Sequence, residues 1–147
     1  MGISDILSEK LVLANVIADG KRSLLEMLSE FAADKVSADS GEIFEAIWER
    51  ENLGSTGYGE GVAFPHARIN GLEQTLAVVA SLSQPVDFVS LDGKPVDVVA
   101  FTISPENSGD DHLKVLATLS RILKNEEICA TIRKSGSAHE IYKALQK

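Results

Sequence analysis

An α/β fold, a mixed β-sheet flanked by helices in a single-domain three-layer sandwich, is what this sequence predicts, and three observations carry the prediction. Stretches of helical period and short apolar runs interleave along the whole chain. The run Val96 to Ile103 (VDVVAFTI) is nearly all apolar, as a central strand covered on both faces must be. The 147 residues, 44% of them hydrophobic, fit one packed domain over 1–147, with no repeat, low-complexity tract or linker to divide it.

The elements follow in order. Leu11-Val12-Leu13 reads as a short strand after a polar-apolar turn. A helix spans about Lys21 to Val36, because Leu24, Leu25, Leu28, Phe31 and Ala32 recur on one face. Asp39 and Glu42 have the spacing of a capping box and open a second helix. Its stripe is Ile43, Phe44, Ile47 and Trp48, and it ends close to Arg50 and Gly54. Val62-Ala63-Phe64 is a short strand that Pro65 stops. Leu76 to Leu82 is a stronger strand, with Val86 to Val89 as a short one beside it. Asp92-Gly93-Lys94-Pro95 marks a turn before Val96 to Ile103. Pro105 to Gly109 breaks the pattern, and Asp110 or Asp111 then caps a helix whose core face is Leu113, Leu116, Leu119 and Leu123. Helices around Glu126 to Lys134 and Ser137 to Leu145 follow. The strand order does not emerge from this pattern.

Composition narrows the function. A net charge of −8 argues against a nucleic-acid binder, which needs a basic face, and favours a basic or neutral protein partner. No apolar run reaches membrane-spanning length and no signal peptide is visible, so a soluble, cytoplasmic protein without membrane insertion is expected. Cys129 is the only cysteine, which excludes an intramolecular disulfide. Its helical setting after Ile128 marks a small buried or half-buried filler rather than a catalytic thiol. Three scattered histidines lack metal-ligand spacing, so neither a metal nor a cofactor is expected.

The chemistry concentrates between Arg50 and Arg68. Glycines at 54, 57, 59 and 61 allow backbone N–H groups to turn toward an anion. Pro65 leaves His66 at the carboxyl end of a strand, where α/β proteins tend to place their chemistry. A neutral imidazole is nucleophilic, and a histidine that passes on a phosphoryl group needs positive charge and donors nearby. Arg50, the loop amides around Gly54 to Gly59, and the hydroxyls of Ser55 and Thr56 are the suppliers at hand. The plainer alternative is a capped turn with an incidental histidine, and the residues alone leave both open. His112 falls in the first turn of a helix, where a neutral ring can donate to a phosphoryl oxygen. A solvent-facing position is the reading the residues alone favour there. His139 reads as surface. The glycine loop lacks the Gly-Lys-Ser/Thr ending of a nucleotide-binding P-loop and fails the dinucleotide spacing.

The segment Arg-Glu-x-x-Gly-Ser-Thr-Gly-x-Gly-x-Gly-Val-Ala-x-Pro-His, from Arg50 to His66, resembles the IIA domains of the bacterial phosphoenolpyruvate-dependent phosphotransferase system, mannitol/fructose class. Asp-His-Leu-x-Val-Leu around His112 is a second match, at the interval the family pattern asks for. The resemblance implies a mixed sheet flanked by helices and a phosphotransferase acting as a protein-histidine phosphoryl carrier. His66 would accept the phosphoryl group through Nε2 from the phosphohistidine of an HPr-like carrier. His112 would steady that group and Arg50 would neutralise it, with Ser55, Thr56 and Gly57 around the phosphate. Within the family the Gly-Ser-Thr-Gly loop and the stand-alone length look like the nitrogen-regulatory IIA branch (EIIA-Ntr), whose members regulate target proteins according to phosphorylation state. Phe64, Ala67 and Glu60 depart from the usual residues, and Glu60 would repel phosphate if it pointed inward. Two alternatives stay open: a fructose- or mannitol-specific IIA component passing phosphate to a IIB protein, and a docking module with vestigial chemistry. The downstream target and the oligomeric state are not legible.

Overall fold

The computed structural model describes residues 2–146; the two ends of the expected domain, Met1 and Lys147, lie outside the described residues. Two 3₁₀ turns (Ile3–Asp5 and Glu9–Leu11) lead into β1 (Val12–Val16), α1 (Lys21–Val36) and α2 (Ser40–Leu53). There follow β2 (Gly57–Gly59), β3 (Val62–Ala63), β4 (His66–Ile69), β5 (Leu76–Val86) and β6 (Val96–Pro105). Three helices come last: α3 (Asp111–Leu123), α4 (Glu126–Lys134) and α5 (Ala138–Leu145).

The sheet is mixed, in the order β1-β5-β6-β3-β2, with β4 also paired to β6. β5 runs antiparallel to β6, whereas β1 is parallel to β5 and both β3 and β4 are parallel to β6. β6 lies between β5 on one side and the β3–β4 segments on the other, which is why its sequence is apolar on both faces. Val99, Phe101 and Ile103 pack with Leu24, Leu25 and Leu28 of α1 and Ile43 and Ile47 of α2. Val98 and Ala100 pack instead with Leu119, Ile132 and Ile141 of the last three helices. The period of two along the strand therefore builds both cores of the expected three-layer sandwich.

Local chemistry departs from expectation at four places. Asp39 caps α2 by accepting from the Gly41 N–H at 3.0 Å, but this single side-chain bond stands in place of the reciprocal box expected with Glu42. Val86 closes the long β5 rather than opening a separate strand, because an irregularity in register between Ser81 and Val86 carries the chain on beside β6. Asp110 stands at the N-cap of α3 without a capping bond from its side chain, its backbone already being helical. The buried face of α3 is His112, Val115, Thr118, Leu119 and Leu123, whereas Leu113 is 61% exposed. The helix is rotated from the leucine stripe because its first turn carries His112 inward.

Candidate functional site

His66 owes its position to a proline. Pro65 has no N–H, so the ladder along β6 lapses between β3 and β4, but parallel pairing resumes in the same register beyond it. The Pro65 carbonyl accepts from the Thr102 N–H at 2.9 Å, and His66 pairs in register with Thr102. His66 thus opens a strand rather than following the end of one, which corrects the expectation. Arg68 and Ser104 are partners one repeat further along. Ala67 and Ile69 enter the core beneath α1 and α2, so His66 and Arg68 take the opposite face, toward α3.

The half-buried His66 ring has its Nδ1 2.7 Å from the Phe64 carbonyl oxygen. A carbonyl only accepts, so Nδ1 carries the proton and the Nε2 lone pair is left as the nucleophilic atom. Burial holds the ring's pKa below its ordinary 6.5; the Phe64 carbonyl pulls up, Arg50 pushes down and Glu51 pulls up. His112, only 5% exposed, faces it with ring centroids 5.5 Å apart. Burial first, then the positive charges of Arg68 and His66, lower the His112 pKa to about 4, so this ring is neutral near pH 7. Its Nδ1 is 2.6 Å from Ser104 Oγ. The solvent-facing reading of His112 is therefore overturned. Arg68 donates to Ser108 Oγ at 2.8 Å, which ties β4 to the loop before α3.

The glycine loop is built around an anion of the protein's own. Glu51 is buried, its carboxylate accepting from the Thr56 N–H at 2.8 Å and the Thr56 hydroxyl at 2.5 Å while pairing with Lys21 Nζ at 2.7 Å. Ser55 Oγ donates to the Phe88 carbonyl and accepts from the Gly57 N–H. The hydroxyls and amides expected to face a phosphate thus make bonds within the protein in this state. Gly57 is glycine for space: an ideal Cβ there would stand 2.2 Å from Ser90 Oγ. Gly61 has a positive φ of 81° in the turn between β2 and β3. Arg50 donates to the Gly54 carbonyl at 2.9 Å, at the end of α2. The exposed Glu60 carboxylate lies 3.7 Å from Lys94 Nζ.

The sheet and α3 thus bring together His66, His112 and Arg68, while Arg50, at the end of α2, reaches His66 through its charge. Sequence reasoning missed the buried Glu51–Lys21 pair and the contact of Ser104 with His112. Thr102 and Ser104 carried a signal: two hydroxyls two residues apart at the end of an otherwise apolar strand mark one face as polar. His139 lies at the surface, 2.6 Å from Glu9, and buried Cys129 donates its thiol proton to the Leu123 carbonyl.

Two imidazoles thus face one another between β4 and α3, on a mixed sheet covered by helices. Residues 5–147 match the family described as "Phosphoenolpyruvate-dependent sugar phosphotransferase system, EIIA 2", and the chain belongs to it. It is 37% identical over 145 residues to the nitrogen regulatory protein of Bradyrhizobium diazoefficiens, covering 99% of this chain and 95% of that protein. The Pseudomonas aeruginosa nitrogen regulatory protein is 34% identical over 144 residues, with 97% and 94% covered. Among solved structures, nitrogen regulatory protein IIA-Ntr from Neisseria meningitidis superposes with a TM-score of 0.91 at 32% identity, covering 97% of this chain and 98% of that one. Mannitol IIA from Escherichia coli shares the fold, with a TM-score of 0.82 at 20% identity over 95% and 98% of the two chains. Among the described residues no helix is long and apolar enough to cross a membrane.

Proposed function

We propose that the chain is a cytoplasmic phosphocarrier of the nitrogen-regulatory branch, taking a phosphoryl group on His66 from an HPr-like protein. The observation that carries this reading is the bond from His66 Nδ1 to the Phe64 carbonyl, which leaves Nε2 as the nucleophile beside a second neutral imidazole. The Nε2 lone pair attacks phosphorus, and the P–N bond to the donor's imidazole breaks with its electron pair returning to that ring. His66 keeps its Nδ1 proton throughout, and the Phe64 carbonyl stabilises the cationic ring that results. Arg50 and His112 answer the charge on the transferred group. Ser55, Thr56 and Gly57 reach that group only by exchanging their present internal bonds, so their first contribution is to hold the loop. The regulatory branch is favoured over sugar uptake by relatives named nitrogen regulatory protein at 33–37% identity. Those relatives match 97–99% of this chain, whereas the fructose-specific EIIA component of Haloferax volcanii is 29% identical over 85% of it, and the 2-O-alpha-mannosyl-D-glycerate-specific EIIABC component of Escherichia coli is 34% identical over 78% of it.

The test is phosphotransfer from phosphoenolpyruvate through enzyme I and each available HPr-like carrier, on wild type and His66→Ala. Acid-labile label on wild type only, donated best by a nitrogen-type carrier, is the expected result. Label retained by His66→Ala overturns the acceptor assignment. Preference for a sugar-type carrier, with onward transfer to a IIB protein, moves the function to sugar uptake.

A further inference from the structure

Ser104 is fully buried on the face of β6 that looks toward α3. Its Oγ accepts from Thr75 Oγ1 at 3.2 Å and stands 2.6 Å from His112 Nδ1. A hydroxyl has one proton and two lone pairs. With one lone pair engaged by Thr75, the proton of Ser104 is left for a bare Nδ1. If Nδ1 carried the proton instead, both hydroxyls would have to turn about, or Ser104 would hold a buried proton without an acceptor. Thr75 also borders an open cleft with Gln74, Asp111 and Val115, so its own oxygen has solvent at hand while its hydroxyl donates to Ser104.

We propose that Thr75 and Ser104 form a hydroxyl relay that positions His112 as its Nε2–H tautomer, so that this ring presents a hydrogen-bond donor to the phosphoryl group on His66. His66 is fixed in the opposite sense by the Phe64 carbonyl. One ring offers a lone pair and the other a proton, which is what attack on phosphorus and stabilisation of its oxygens require. The low pKa of His112 keeps its ring neutral, so that a single proton is shared between two nitrogens and its location matters. Ser104 and Thr75 are positioning residues here. The tautomer stands on the hydrogen bonds alone, and its use in transfer rests on the phosphocarrier reading above.

The test reads the ring nitrogens of His112 by long-range ¹H–¹⁵N correlation in the full-length wild type, Ser104→Ala and Thr75→Val, beside phosphoryl acceptance from the preferred carrier. Thr75→Val matches the wild-type side chain in shape, so it reports even if the serine variant packs poorly. Wild type is expected to show a protonated Nε2 and a bare Nδ1. Both variants are expected to shift toward averaged nitrogen signals. Ser104→Ala should slow acceptance roughly tenfold, the loss of one hydrogen bond to a charged group, with Ser104→Thr restoring both readouts. A wild-type ring protonated on Nδ1, or an unchanged tautomer in Ser104→Ala, overturns the relay. A wild type with the expected tautomer that takes phosphate from no carrier upholds the relay and overturns the phosphocarrier reading.

Discussion

Replacing His112 with glutamine should flatten the acid side of the protein's stability profile. In the folded protein the ring is 5% exposed and titrates at about 4, whereas an unfolded histidine titrates near 6.5. Between those values the unfolded chain binds a proton that the native chain refuses. Stability therefore rises with pH across the window and falls as pH drops through it. At about 1.4 kcal/mol per decade, the native state loses about 2 kcal/mol by pH 5 and about 3 kcal/mol by pH 4 through this one ring. His66, lowered in the same direction, adds to the loss but is present in both proteins, so the wild-type minus variant difference reports His112 together with its coupling to His66. Urea unfolding from pH 7.5 to 4.5 is the assay. With a urea slope of about 2 kcal/mol per molar, the difference between the two midpoints should change by about 1 M between pH 7 and 5. Parallel profiles for the two proteins, or a His112 ring that titrates near 6.5 by NMR, would refute the burial argument. The same argument has a functional side, because a ring that stays neutral down to pH 5 keeps its donor without adding a positive charge beside Arg68.

Two further outcomes are expected. Lys21→Met leaves the Glu51 carboxylate, with a side chain 1% exposed, to Thr56 alone. It should cost about 3–5 kcal/mol in denaturant unfolding, of which the double variant with Glu51→Gln regains part; a loss under about 1 kcal/mol would show that the pair is not a buried one. Gly57→Ala places a methyl 2.2 Å from Ser90 Oγ and should destabilise by about 1–3 kcal/mol, with the loss relieved in Gly57→Ala/Ser90→Gly. Equal losses in the single and double variants would place the strain elsewhere.

What was legible in the sequence was what a short stretch of chain can encode. The segment from Arg50 to His66 holds the helix end, the loop and one histidine in a single run, and its residues meet in space because they are close in sequence. The apolar run of β6 likewise announced a strand covered on both faces. The leucines of α3 misled for a physical reason. A stripe of Leu113, Leu116, Leu119 and Leu123 has the right period, but the buried face carries His112 and Thr118, which read as polar. A helix that contributes an inward polar group to a site hides its own orientation, and here Leu113 was left outside.

The contact of Thr75, Ser104 and His112 was hidden for a different reason. They come from the loop before β5, from β6 and from α3, and only the register of the sheet brings them together. His66 stands opposite Thr102, and Arg68 opposite Ser104. Leu76, the neighbour of Thr75, stands opposite Ile103, the neighbour of Ser104. A one-residue slip of β6 against either neighbour would send Ser104 to the α1–α2 core and bring an apolar side chain beneath His112. The alternating apolar residues of β6 oppose that slip, since it would move the large Phe101 and Ile103 into the core that Val98 and Ala100 fill and the smaller pair into the core beneath α1 and α2. The packing of the two cores thus sets the register, and the register sets which hydroxyl His112 meets. The chemistry of the site depends in this way on apolar residues that never touch it.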